Sequence, residues 1–155
     1  MVRRDRGYTY LGLLFAVAIL SAGLGVVGEL WQTAMRRDKE AELIHAGNAY
    51  RRAIMLYYES SPRGRPQYPQ RLEQLLKDDR HPGTRRYLRR LYIDPITGQQ
   101  EWGAIRAPDG GIMGVHSLAT AAPLKQSGFR PVDASLAGAA SYADWKFFYQ
   151  PPAAR

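Results

Sequence analysis

Hydrophobic and polar positions change their pattern along the chain. The first stretch, GYTYLGLLFAVAILSAGLGVVG at 7–28, runs for 22 residues without a charge. About 20 apolar residues cross a hydrocarbon core as a helix, so this run is long enough to span one. A short basic head, Met1-Val-Arg-Arg-Asp-Arg6, precedes it, and the mixed-charge stretch RRDKEAE at 36–42 comes after it. A secretory signal peptide carries an apolar region of ~7–15 residues before a small-residue cut site. Ala16-Val17-Ala18 and Ser21-Ala22-Gly23 would serve as such sites, but the run is longer and the helical pattern continues beyond it. Arg3, Arg4 and Arg6 on one side balance Arg36, Arg37 and Lys39 on the other, so charge counting leaves the orientation of a span open.

After Glu29 the apolar positions recur at helical spacing: Leu30, Ala34, Leu43, Ala46, Tyr50, Ala53, Ile54 and Tyr57. This amphipathic stripe predicts that one helix continues from about Thr9 to Glu59, roughly 75 Å at 1.5 Å per residue. No proline occurs before Pro62, and no Gly/Ser/Pro tether separates the apolar run from the stripe. A loop is expected at 60–69, then a short helix at 70–78 carrying Leu72, Leu75 and Leu76. His81-Pro-Gly-Thr84 breaks that helix, and RRYLRRLY at 85–92 reads as a second one, packed through Tyr87, Leu88, Leu91 and Tyr92. Asp94-Pro-Ile-Thr-Gly98 is a turn. Residues 101–107 and 111–117 read as two strands around Pro108-Asp-Gly-Gly111, with Trp102, Ile105, Ile112 and Val115 facing inward. The aromatic tail YADWKFFYQ at 142–150 is a last strand, and 119–141, rich in Ala, Gly, Ser and Pro, is irregular. The fold class is α+β: a long N-terminal helix packed on a small antiparallel sheet with short helices.

Composition narrows the chemistry. The chain has 155 residues, 45% hydrophobic and 23% charged, which argues for a folded domain over wholesale disorder. Cysteine is absent, which excludes a disulfide scaffold, a zinc ribbon and a thiol nucleophile. His45, His81 and His116 show no metal-ligand spacing. No phosphate-binding glycine loop, nucleophile–base order or paired catalytic carboxylates occur, and Glu101 and Asp109 read as strand-edge and turn residues, so an enzyme is not expected. Lys and Arg outnumber Asp and Glu by 22 to 14. Arg85, Arg86, Arg89 and Arg90 concentrate part of that surplus in two pairs, a candidate anion-binding surface whose bland alternative is a solvated face.

The junction Arg6-Gly7-Tyr8-Thr9-Tyr10-Leu11-Gly12-Leu13-Leu14 resembles the leader motif of type IV prepilins and type II secretion pseudopilins. The resemblance implies a leader at 1–7, cut between Gly7 and Tyr8 by a prepilin peptidase that also methylates the Tyr8 amine. It departs from the family at Gly12, where a Glu is usual. That Glu is thought to neutralise a neighbour's N-terminal amine, and its absence suits a subunit at a filament tip or a different core packing. YPQRLEQLLKD (68–78), YLRRLYIDPITGQQEW (87–102) and GGIMGVHS (110–117) are similar to pseudopilins related to the major subunit.

The resemblance implies a pilin-like fold, with a membrane-spanning or filament-core half at 8–28, an amphipathic half at 29–60 and a periplasmic head at 61–155. It implies a single-pass bacterial inner-membrane protein, N-terminus cytoplasmic, that assembles with other pseudopilins or pilins on an inner-membrane platform and drives protein export. Major pseudopilins often hold calcium near the C-terminus. Here Asp133 and Asp144 are the only acids after Asp109, few for an ion that takes six to eight oxygens, so no cofactor is expected. Two alternatives remain: a minor type IV or DNA-uptake pilin with a basic head, with nucleic acid the less favoured partner, and a membrane-anchored periplasmic binding module. The arginines could equally meet acids of the next subunit.

Overall fold

A computed structural model describes residues 6–62 and 65–152, the side chains of residues 6–9 and 20–30 excepted. Helix α1 runs from Arg6–Glu59 as one element of 54 residues, starting before the expected Thr9. The chain divides into two compact units, Met1–Arg37 and Asp38–Arg155.

In the first unit, the described side chains of 10–19 are exposed on every side of the helix, among them Tyr10 at 65%, Phe15 at 63% and Ile19 at 71%. Among the described residues no helix is long and apolar enough to cross a membrane. Of the apolar run at 7–28, the side chains of 7–9 and 20–28 lie outside the described ones.

In the second unit the stripe is buried as expected. Leu43, Ala46, Tyr50, Ala53, Ile54 and Tyr57 are each 3% exposed or less, and large side chains such as Leu43 and Ile54 contribute about 1.5–3 kcal/mol each when fully covered. Ala34, counted with the stripe from spacing alone, is exposed. The helix stops where its last carbonyls find other donors. The Ser60 hydroxyl and Arg80 Nη2 both donate to the Tyr57 carbonyl, at 3.1 and 2.9 Å, and Pro62 bars continuation. A guanidinium there also favours the negative end of the helix dipole.

The sheet covering the stripe has three antiparallel strands in the order β1-β2-β3. They are β1 (Gly103–Arg106), β2 (Ile112–His116) and β3 (Lys146–Phe148), each shorter than its expected run. Gly110, at φ 84°, makes the β1–β2 turn, and Asp109 Oδ1 accepts from the Gly111 N–H at 3.0 Å. A bulge between Ile105 and Arg106 shifts the register. Trp102, Ile112 and Val115 are buried as expected, while Ile105 is half-buried. The other expected helices are corrected. Residues 70–78 hold only a 3-10 turn, Leu72–Leu75, and 85–92 is not helical at all. Two further 3-10 elements, Pro131–Leu136 and Tyr142–Asp144, lie where irregular chain and a strand were expected.

Helix and sheet meet closely at Gly47. Phe147, paired with Val115 across β2 and β3, is fully buried with its ring against the Gly47 backbone, and any Cβ at 47 would overlap that ring. Gly47→Ala is therefore expected to lower the melting temperature of the full chain in detergent. Alanine's helix propensity favours it over glycine by up to ~1 kcal/mol, while overpacking costs about 1–3 kcal/mol. A variant as stable as the parent would show that Phe147 moves freely aside.

Candidate functional site

The arginine segment owes its non-helical form to the bonds its backbone makes. The N–H groups of Tyr87 and Leu88 both donate to the Leu75 carbonyl at 2.9 Å, and the Arg85 carbonyl accepts from the Asp78 N–H at 3.0 Å. These long-range bonds replace the local ladder a helix needs. Leu88 is buried at 6%, Tyr87 is half-buried, and Arg85, Arg86, Arg89 and Arg90 are all exposed. Among the described residues none of the four makes an ion pair. Arg90 lies over the Tyr92 ring at 5.7 Å from its centroid. The arginines are thus held on a fixed, anchored loop, not on one face of a helix.

That anchor continues into a polar cluster at the end of α1. Asp78 is 2% exposed. It accepts from Arg80 Nε and Nη2 at 2.8 Å, from the Arg80 N–H at 3.1 Å and from the Tyr87 hydroxyl at 2.9 Å. The Arg80 guanidinium lies 3.5 Å over the Tyr57 ring centroid and also donates to the Ser61 hydroxyl. Nε2 of His81 is 3.0 Å from the Ser60 carbonyl. Burial pushes the Asp78 carboxyl up, but the hydrogen bonds from Arg80 and Tyr87, with the Arg80 charge, outweigh it and hold the group at about 2.

Two more carboxylates tie the 119–141 segment to α1. Glu40, 2% exposed, accepts from the backbone N–H groups of Leu124 and Lys125 and from the Tyr142 hydroxyl at 2.9 Å. Asp133, 1% exposed, pairs with Arg51 Nη1 at 3.1 Å and Arg130 Nη2 at 3.0 Å and accepts from the Asn48 amide at 3.2 Å. Asp144 accepts from the backbone and hydroxyl of Ser141 at 3.0 and 2.8 Å, which hold its carboxyl below the usual range. At Asp133 the arginine partners compete with any metal ion. A cation approaching Asp133 would meet two guanidinium groups already on its oxygens. Among the described residues no group of three or more His, Cys, Asp or Glu could hold a metal ion.

A fourth carboxylate, Asp94, organises the turn read from the sequence. Its Oδ1 accepts from the Ile96 N–H at 2.8 Å and its Oδ2 from the Ser117 hydroxyl at 2.6 Å, while Gly98 closes the turn at φ 72°. Next to it the Tyr50 hydroxyl accepts from the Tyr92 N–H at 2.9 Å, and Trp102 Nε1 donates to the Tyr92 carbonyl at 2.8 Å. Burial raises the Tyr50 hydroxyl to about 12, against the lowering effect of its bond to the Tyr92 backbone.

The leader-associated residues divide. Of the expected 1–7 leader, residues 1–5 lie outside the described residues; Gly7 and Tyr8 are helical in backbone, and their side chains are not among those described. Gly12 is described and exposed, and a Cβ added there would meet nothing within 4 Å. Packing among the described residues therefore does not require glycine at 12. Sequence reasoning missed Glu40 as a structural residue, although its place three before Leu43 puts it on the buried stripe. Comparison with protein-family models, curated proteins and solved structures finds no match to this chain.

The buried carboxylates can be tested through acid and metal. Asp78 ordinarily titrates at 3.8 and here at about 2, so its contribution is complete above pH ~4 and is lost as the pH falls through ~2. In acid melts the parent should lose on the order of 2 kcal/mol more than Asp78→Asn across that window, and parallel curves would refute the pairing. Asp133→Ala should destabilise by about 3 kcal/mol by leaving Arg51 uncompensated, while calcium or a chelator leaves the parent's melting temperature unchanged. A rise on adding calcium would contradict the arginine-held picture.

Proposed function

We propose that this chain is a non-enzymatic filament subunit with a pilin-like fold, a pseudopilin of a type II secretion-like machine. In this reading, residues 1–7 are a leader removed by a prepilin peptidase, and the N-terminal half of α1 inserts in the inner membrane with its N-terminus cytoplasmic. The head lies in the periplasm. The helix then leaves the lipid to pack with copies or relatives on an assembly platform, and the growing filament drives protein export.

One observation carries the reading: the apolar surface of α1 at Tyr10, Leu11, Leu13, Leu14, Phe15, Val17 and Ile19 is 49–71% exposed. Left in water, such side chains each forgo about 1.5–3 kcal/mol of transfer free energy, so lipid or neighbouring helices must cover them. The leader-like junction at Gly7-Tyr8 lies at the start of the same helix, and the described part of that helix continues without interruption into an α+β head. A plain tethered module accounts for a greasy helix but not for the junction.

Mass spectrometry of the membrane-extracted protein tests this directly. The expected N-terminus is N-methylated Tyr8; an intact Met1 in cells with active prepilin peptidase would overturn the reading. Gly12→Glu then tests rank. Because a Cβ at position 12 would meet no described atom within 4 Å, the substitution is expected to spare the fold. For a tip subunit the variant should gain interior incorporation, scored by crosslinking to subunits on both sides. An unchanged crosslinking pattern would argue against the tip assignment.

A further inference from the structure

The part of α1 that follows the apolar run leaves four side chains uncovered in the first unit. Trp31 is 70% exposed, and Met35, one turn on, is 52% exposed. Arg36 and Arg37 come next, both exposed, and neither makes an ion pair among the described residues. An indole is polar at its N–H and apolar over the rest of its rings, so it gathers where hydrocarbon gives way to lipid headgroups. An uncovered indole followed within two turns by paired guanidinium groups has the chemistry of that boundary.

Spacing along the helix agrees. Tyr10 is the other exposed aromatic side chain with a polar tip among those described in the first unit. Trp31 follows it by 21 residues, roughly 31 Å at 1.5 Å per residue. The hydrocarbon core of a bilayer is about 30 Å thick. Between Arg6 and Arg36 the sequence holds a single charged residue, Glu29, about 3 Å from the Trp31 level along the axis. A boundary at Trp31 therefore leaves no charge deep in hydrocarbon.

The arginines select the kind of surface. They stand about 7–9 Å beyond Trp31 along the axis, which is phosphate depth when the indole lies at the junction of headgroups and acyl chains. Asp38 follows at once, but consecutive helical residues point about 100° apart and do not face each other. The carboxylate of Glu40, one turn from Arg36, is taken by the Leu124 and Lys125 N–H groups and the Tyr142 hydroxyl. Two guanidinium forks without carboxylate partners suit phosphate oxygens, and anionic lipid adds a net attraction.

We propose that Trp31, Arg36 and Arg37 form a binding site for anionic phospholipid where α1 leaves the bilayer. The indole lies at the junction of headgroups and acyl chains, and the two guanidinium groups hold lipid phosphates. The site rests on the membrane-inserted half of the reading above and adds the lipid class and the depth at which the helix is held.

The full chain reconstituted in vesicles gives the first readout. Trp102 and Trp145 are 7% and 0% exposed in the second unit, so the fluorescence lost in Trp31→Phe reports Trp31 alone. With lipids brominated near the glycerol end of the acyl chain or near its tail, the first should quench that component about twofold more strongly or better. Native mass spectrometry of the detergent-extracted chain gives the second. Phosphatidylglycerol should be retained in preference to phosphatidylcholine, and Arg36→Gln with Arg37→Gln should lower its retention about tenfold. Arg85→Gln with Arg86→Gln, which removes the same charge from the head, should leave it unchanged. Stronger quenching by tail bromines overturns the site, as does quenching by neither, the sign of a neighbouring helix over Trp31. No preference for phosphatidylglycerol, or equal loss in both arginine variants, overturns it too. N-methylated Tyr8 alongside any of these failures leaves the filament reading standing. An intact Met1 with shallow quenching and selective lipid loss sinks the filament reading and keeps the lipid site.

Discussion

A carboxylate withdrawn from water must be given donors, and the second unit of this protein is organised around that requirement. Glu40, Asp78, Asp94 and Asp133 are its buried acids among the described residues. Each gathers donors from chain segments that no strand or helix joins: 124–125 and Tyr142 at Glu40, Arg80 and Tyr87 at Asp78, the 96–97 backbone and Ser117 at Asp94, Arg51 and Arg130 at Asp133. With three short strands available, most of the segment after α1 has no ladder to satisfy its backbone. The carboxylates supply that order, and removing one leaves buried donors or cations uncompensated.

The same economy explains where charge is left over. Arginines 51, 80 and 130 are consumed by buried acids, whereas 85, 86, 89 and 90 stand on a loop whose backbone is held and whose side chains make no ion pair among the described residues. A segment fixed below and unsatisfied above is suited to recognition. The apolar surface at 10–19 is a second unsatisfied surface, of opposite chemistry, described for itself in the first unit. Together they support a protein whose free energy is completed by what surrounds it.

The stripe from Leu43 to Tyr57 was legible because six apolar side chains keep to one helical period, and the hairpin because Pro108-Asp-Gly-Gly111 separates two alternating runs. The 85–92 segment was not. YLRRLY imitates an amphipathic helix, but only Leu88 is buried, and two consecutive N–H groups turn to one carbonyl of residue 75, a pairing that spacing does not reveal. Glu40 was hidden for the opposite reason. Its spacing fitted the buried stripe, while its charge suggested solvent, and the donors that overcome the charge come from 84 to 102 residues further on. Asp133 read as a weak metal ligand because neither Arg51 nor Asn48 is near it in sequence. Gly7, Tyr8 and Gly12 were singled out only through resemblance, and no described contact bears on them.

The bond between Glu40 and Tyr142 spans 102 residues of chain. Synthesis makes α1 before residues 142–148, so Glu40 has no tyrosine hydroxyl and Gly47 no Phe147 ring against it until that later segment is made. A chain halted before residue 142 would carry Leu75, Trp102 and Val115 for the stripe but leave the carboxylate half-served and the helix unclosed at Gly47, a surface open to neighbouring molecules.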